Sequence, residues 1–137
     1  MKKIIIFSAL LLISTFNIVS AKSIGELRVS ISQDINKDCK QPDGYDPVRG
    51  CYINSAKQIF IRDGLPKEVL PYILIREMGH YFTVDVSDER LNEVFNPLPL
   101  KLQCSSLREV VADEFATWFF GGYAKPIQDK FFREILK

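Results

Sequence analysis

The chain has 137 residues, of which 47% are hydrophobic, and its 18 basic and 17 acidic residues give a net charge of +1. A near-neutral chain without a basic run lacks the charge that attracts nucleic acids or anionic membrane surfaces, so neither is expected as a partner. The length suits a single modest domain with its own hydrophobic core.

The first 21 residues have the pattern of a secretory signal peptide. Lys2 and Lys3 form a positive n-region, residues 4–13 form an apolar h-region, and residues 19–21 supply small side chains for cleavage. An apolar stretch of about ten residues is too short for a membrane span, which needs about 20. We expect a mature single domain at residues 22–137, with no membrane span, that is secreted or periplasmic.

Export would make the three cysteines meaningful. Cys39 and Cys51 flank a turn-rich segment that has little to bury, so a disulfide between them is the natural staple. Three cysteines allow three different single disulfides. The sequence spacing favours Cys39–Cys51 without excluding the other two. Cys104 is then left over as a buried small hydrophobe, as a redox-active or nucleophilic thiol, as the thiol of an intermolecular disulfide or as a metal ligand, and the buried role is favoured.

Hydrophobic periodicity predicts strands followed by helices, which is an α+β arrangement. Alternation with period two predicts strands at residues 26–31 and 58–62, with a third at residues 51–53. Helical spacing predicts helices at residues 71–82, at residues 88–95, from residue 107 to Gly121-Gly122, and from Pro126 onward. The apolar face of the last helix either packs on the domain or docks a partner, and internal packing is favoured. Its members are Ile127, Phe131, Phe132, Ile135 and Leu136.

The helix at residues 71–82 contains the motif R-E-x-G-H, and His80 is the only histidine in the chain. A helix repeats every 3.6 residues, so Arg76 and His80 point the same way, with Glu77 to one side. A glycine inside a helix indicates close approach of another backbone. We therefore expect a second helix to pack at Gly79.

A second polar pattern, E-x-x-A-D-x-F-A, covers residues 109–116. Glu109 follows Ser106 by three residues, which is also the spacing of a capping box, where the glutamate bonds back to the start of its helix. Considered alone, Glu109 fits the cap better than a binding site. The order of the two motifs, with 29 residues from His80 to Glu109, favours the site.

Together the two motifs resemble those of the gluzincins, the thermolysin-like zinc metallopeptidases whose complete first motif is H-E-x-x-H. The resemblance covers roughly residues 66–121. It implies a small zincin-like domain, with a short sheet beside an active-site helix and a third-ligand helix. Glu77 is then the general base, and His80 and Glu109 are zinc ligands. Asp113 is the carboxylate behind the first ligand.

Arg76 stands at the position of the first histidine, where the sequence departs from the family pattern. A guanidinium stays protonated and has no lone pair for a metal. His80 and Glu109 remain, whereas catalytic zinc sites use three protein ligands and a water. We expect zinc to bind weakly or not at all, and Arg76 to form an ion pair with Asp113.

Two functions are compatible with this pattern. The chain is a secreted metallopeptidase-like protein whose peptide-bond hydrolysis is weakened or lost, or it is a non-enzymatic module that holds a peptide or protein partner. The first needs bound zinc, and the second needs only the fold. In peptidases of the family the substrate adds as a strand to the edge of the sheet. The sequence leaves open whether the chain is an enzyme.

Overall fold

The structure, a computed structural model, describes residues 24–42, 47–96 and 106–137. Within them lie a three-stranded sheet and five α-helices, which confirms the predicted α+β class. The strands are β1 (Arg28–Ser32), β2 (Gly50–Ile53) and β3 (Gln58–Arg62). The helices are α1 (Ile35–Asp38), α2 (Leu70–Thr83), α3 (Asp88–Phe95), α4 (Leu107–Phe119) and α5 (Pro126–Ile135).

The predicted signal peptide and Cys104 lie outside the described residues, so their predictions stay as they are. Within the described ranges, no helix is both long and apolar enough to cross a membrane.

The strands have the order β1-β3-β2, with β3 in the centre of the sheet. β1 runs parallel to β3, with Arg28 opposite Gln58, and β2 runs antiparallel, with Cys51 opposite Phe60. The central strand is the most buried, and its Ile59 is fully enclosed in the core. β2 is therefore an edge strand of the sheet.

The first strand lies further along the chain than the alternation predicts. Glu26 belongs to a short 3-10 helix, and β1 begins at Arg28. The reason lies in its partner, because Lys57 takes a left-handed φ of 46° just before β3 and the chain turns there. β3 begins at Gln58, so β1 has no residue of β3 to pair with before Arg28, which lies opposite Gln58.

The two motif helices follow their predicted bounds closely. α2 accepts Pro71 in its first turn, where a backbone N–H would be unpaired in any case. α4 ends where Gly121 takes a φ of 83°, a conformation that favours glycine. α3 has the predicted bounds and is capped by Ser87, whose hydroxyl accepts a backbone N–H.

One hydrophobic core joins the sheet to the helices. Phe115 of α4 and Phe132 of α5 are among its most buried side chains, and Phe131 lies beside them. The internal packing predicted for the last helix is confirmed by these phenylalanines. The assignment of Ile127 to the same face is wrong, because its side chain is 43% exposed at the start of α5.

Candidate functional site

Three polar residues of the first motif lie together on α2. Arg76 and His80 are one turn apart, and Glu77 lies next to Arg76 in the chain. Glu77 is only 2% exposed, and the side chains of Arg76 and His80 are 21% and 16% exposed. Glutamate is almost never this buried unless it is paired. The partners of Glu77 therefore matter for its charge.

α4 contributes two carboxylates, Glu109 and Asp113, which are one turn apart. The Ser106 hydroxyl caps the helix and accepts the backbone N–H of Glu109 at 3.3 Å. The side chain of Glu109 contacts Arg76 and His80 instead of returning to the start of its helix. These contacts speak against the full capping box, and the role of Glu109 as a zinc ligand stays a prediction.

The close helix approach predicted at Gly79 is confirmed. A Cβ atom at this position would lie 3.1 Å from Ala112 Cα and 3.1 Å from Phe115 Cδ1. Without that atom, α2 and α4 can pack closely at this level. The close packing brings the polar side chains of the neighbouring turn within reach of each other.

Arg76 is the centre of the polar contacts. Its Nε donates to Asp113 Oδ1 at 2.6 Å, which is the ion pair predicted from the sequence. Its Nη1 donates to Glu77 Oε1 at 3.0 Å, and its Nη2 donates to Glu109 Oε2. One guanidinium therefore contacts three carboxylates, and the sequence predicted only one of them as its partner.

His80 adjoins two of the same carboxylates. Its Nε2 lies 3.4 Å from Glu109 Oε1 and 4.0 Å from Glu77 Oε2. All the residues that the two motifs singled out are thus in one place. We refer to them as the Arg76 cluster, which consists of Arg76, Glu77, His80, Glu109 and Asp113. Their catalytic and ligand roles stay predictions.

The surroundings move the two glutamate pKa values in opposite directions. Desolvation raises the pKa of Glu77, although His80 and Arg76 act against it. The hydrogen bond with His80 is the main cause that lowers the pKa of Glu109 to about 2. Burial lowers the pKa of Arg76, but its hydrogen bonds to Glu109 and Asp113 raise it above the usual value. Arg76 and Glu109 therefore carry full charges at neutral pH.

The Arg76 cluster does not offer the ligand set of a catalytic zinc site. Such a site needs three protein ligands and a water, and the guanidinium stands where the resemblance puts the first ligand. To bind a metal ion, Glu109 would have to give up its ion pair with Arg76. The positive charge of Arg76 would also repel the metal ion. Within the described residues, no group of three or more histidine, cysteine, aspartate or glutamate side chains is arranged to hold a metal ion.

The Arg76 cluster lines a groove of about 840 Å³. One wall of the groove is formed by β2 and the residues before it, and the other by α2 and the start of α4. Every member of the cluster contributes to the lining. The charged contacts are therefore accessible from the groove.

Two residues of the β2 wall have backbone hydrogen-bonding groups that do not pair with β3. The N–H of Arg62 donates to Arg49 O at 2.9 Å, which makes these two residues a hydrogen-bonded pair of the antiparallel ladder. Because such pairs alternate, the N–H and C=O groups of Gly50 and Tyr52 point away from β3. Gly50 and Tyr52 both line the groove.

The same wall is fixed by a covalent bond and by a glycine. The predicted Cys39–Cys51 disulfide is present and joins the end of α1 to β2. At Gly50 a Cβ atom would lie 2.9 Å from Ile73 Cγ2 and 3.3 Å from Glu77 Cγ. The absence of a side chain at Gly50 lets the wall approach α2.

Arg108 also lines the groove, although no sequence motif predicts it there. Its guanidinium donates to the carbonyls of Thr83 and Val86 at 3.1 and 3.0 Å and to Asp88 at 2.8 Å. These bonds tie the end of α2 to the start of α4, next to Glu109. An arginine whose main partners are remote backbone carbonyls leaves no motif, so no sequence signal was there to find.

No family model matches the chain, and neither a curated protein nor a solved structure matches it. The resemblance to the gluzincins therefore stays a prediction that rests on the two motifs.

Proposed function

We propose that the chain is an exported zincin-like domain that binds an extended peptide or protein segment in its groove without hydrolysing it. One observation carries the proposal: Arg76 contacts three carboxylates where the gluzincin resemblance puts the zinc site. The base position and two of the ligand positions are kept, and a guanidinium takes the first. Such a scaffold retains the groove of a peptidase and loses the means to activate water.

The expected loss of hydrolysis follows from the chemistry of zinc peptidases. A bound metal lowers the pKa of its water, and a general base then removes the proton. Glu77 would be that base, but its Oε1 accepts a hydrogen bond from Arg76. Without a metal-bound water the base has nothing to deprotonate. Catalysis is accordingly weakened or lost.

The groove supports binding of an extended segment. Its volume of about 840 Å³ lies in the range of roughly 300–1,000 Å³ that ligand sites occupy. Extended peptides bind exposed sheet edges through backbone hydrogen bonds. Gly50 and Tyr52 turn such groups outward along the β2 wall.

The disulfide supports a secreted or periplasmic location of the protein. Disulfides persist in oxidising compartments and are rare in the cytosol. The Cys39–Cys51 bond agrees with the signal peptide predicted at residues 1–21, and both favour a secreted or periplasmic protein.

One observation favours a second candidate, a residual zinc peptidase. His80 Nε2 and Glu109 Oε1 are 3.4 Å apart, and Glu77 lies beside them. In a working zinc site, His80 and Glu109 as ligands and Glu77 as general base would lie close together in this way. The two candidates differ in whether the wild-type protein holds zinc.

Metal analysis of untagged protein separates the candidates. We expect well under one zinc per wild-type chain, and a clear gain in Arg76→His, which restores the third ligand. Arg90→His is the matched control, because it adds a histidine on α3, away from the groove. Near-stoichiometric zinc in the wild type after dialysis against a mild chelator contradicts the proposal. A folded Arg76→His protein with no more zinc than the control contradicts the assigned ligand positions.

Binding along β2 is tested at Tyr52. A library of acetylated and amidated ten-residue peptides is screened by fluorescence anisotropy, with mass spectrometry to detect cleavage. Tyr52→Pro and Tyr52→Ala both remove the ring, but only proline also removes the outward N–H, which an edge strand tolerates. We expect roughly 3- to 10-fold weaker binding for Tyr52→Pro than for Tyr52→Ala. Equal affinities exclude an edge-strand contact there.

A further inference from the structure

Arg76 has more hydrogen-bond donors than its carboxylate partners use. A guanidinium carries five N–H groups. Nε, Nη1 and Nη2 each donate once, to Asp113, Glu77 and Glu109. Within the described part of the chain, this leaves one N–H on each terminal nitrogen. The side chain is 21% exposed and lines the groove.

We propose that an N–H group of Arg76 that its carboxylate partners leave free binds a backbone carbonyl of the peptide ligand, so that Arg76 anchors the ligand where a zinc peptidase would hold its metal. This inference rests on the proposed function and names the contact that the ligand makes there. The ligand group is an uncharged carbonyl, and free carboxylates and phosphates are poor ligands.

The charge of the Arg76 cluster selects an uncharged acceptor. One guanidinium faces the carboxyl groups of Glu77, Glu109 and Asp113, so acidic groups outnumber the cation around it. Glu109 and Asp113 are 47% and 34% exposed, and they would repel an incoming anion. An amide carbonyl brings a dipole without a net charge. Its bond to the guanidinium is charge-assisted and therefore stronger than a neutral one.

The β2 wall would place a carbonyl in the right direction. The backbone groups of a strand alternate, so a peptide that bonds to Gly50 and Tyr52 with one set of carbonyls turns the next set away from β2. Those carbonyls face into the groove, which Arg76 lines. A single bound segment can therefore use the sheet edge and the guanidinium together.

Arg76 is also held in place before any ligand arrives. Three hydrogen bonds to two helices fix its side chain. A donor that is already ordered loses little entropy when a ligand binds, and this favours affinity.

The test compares Arg76→Lys with the wild type, using the tightest peptide from the acetylated and amidated library. Lysine keeps the positive charge but has three N–H donors, all of which the three carboxylates require. We expect Arg76→Lys to bind roughly 10-fold more weakly or worse. Arg90→Lys is the matched control on α3 and should bind like the wild type.

A measurement on the wild-type protein covers the case that Arg76→Lys does not fold. Each carbonyl oxygen of the peptide is replaced in turn by sulfur, a weaker acceptor. We expect the replacement to weaken binding at one carbonyl that does not contact β2. If it weakens binding only at the carbonyls that contact β2, the inference is overturned. Inorganic phosphate is added as a competitor, and displacement of the peptide at millimolar phosphate also overturns it.

The outcomes separate the inference from the proposed function. If Tyr52→Pro weakens binding and Arg76→Lys does not, the groove binds peptide but Arg76 is not the anchor. If the wild type binds no peptide of the library, the proposed function fails and the anchor fails with it.

Discussion

α2 and α4 meet in two different ways, one turn of helix apart. At Gly79 the contact is apolar and closed, since the backbone packs directly against Ala112 and Phe115, and Phe115 is 1% exposed. At Arg76 the contact is polar and partly open, because Asp113 and its neighbour Glu109 are 34% and 47% exposed.

The two contacts differ in how much the stability of the fold depends on them. Buried apolar contacts carry several kcal/mol each, roughly 3–5 for a phenylalanine. Ion pairs contribute about 0–1 kcal/mol when they are exposed, and a partly buried pair such as that of Arg76 lies between this value and the 3–5 of a fully buried one. The contact at Gly79 therefore sets the distance between the helices. The fold depends much less on the polar contact at Arg76, so the residues there can change with a smaller loss of stability.

Loss of the apolar contact should have the largest effect. We expect Phe115→Ala to lower the free energy of unfolding by about 3–5 kcal/mol, because it leaves a cavity beneath Gly79. Chemical denaturation measures the change. Phe120→Ala is the matched control, since Phe120 is 49% exposed just after the same helix and should cost about 1 kcal/mol or less. If Phe115→Ala and Phe120→Ala lower the free energy of unfolding by similar amounts, the closed contact at Gly79 does not have the special weight assigned to it.

Loss of the polar contact should have a smaller effect. We expect Arg76→Met to cost about 1–2 kcal/mol, below the 3–5 of a fully buried pair, because Asp113 is partly solvated. Combined with Asp113→Asn in a double-mutant cycle, it should show coupling above about 0.5 kcal/mol. If the two substitutions lower the free energy of unfolding by strictly additive amounts, the ion pair between Arg76 and Asp113 does not contribute to stability.

The smallest expected effect is on the pH dependence of stability, to which Glu109 and Glu77 contribute with opposite signs. The pKa of Glu109 falls from 4.5 to about 2 on folding, so its stabilisation is complete above pH 4.5 and is lost as the pH falls toward 2. Glu77 has a raised pKa, so its contribution has the opposite sign and falls as the pH rises above 4.5.

We therefore expect Glu109→Gln to lose less stability than the wild type between pH 5 and pH 2, measured by urea denaturation at each pH. Glu93→Gln on α3 is the control, because Glu93 lies outside the groove. Wild-type behaviour of Glu109→Gln across this range would contradict the charge assigned to Glu109.

The sequence predicted most of the fold because most elements have a clear period. β3 and α3 have the predicted bounds. α1 was missed, since four residues are too few to show a helical period, although Asp34 caps it by accepting the N–H of Lys37. β1 was displaced because its start depends on a turn at Lys57, outside the strand itself.

The candidate site was predicted in its membership and less well in its contacts. Helical spacing places Arg76 opposite Asp113, and that pair is present. The bonds from Arg76 to Glu77 and Glu109 depend on how closely the two helices approach and on the depth at which Glu77 is buried. Both are tertiary properties that the spacing within one helix does not contain.

The strand order also determines when the sheet can form. β3 is central in the sheet but last in the chain, so β1 has no strand to pair with until Arg62 has been synthesised. Closing β1 onto β3 requires the connection between Ser32 and Gln58 to form a loop, whose entropic cost rises with its length. The Cys39–Cys51 bond spans 12 positions inside that loop, so an oxidised chain has a shorter one to close. Refolding should therefore be faster with the disulfide intact than after its reduction.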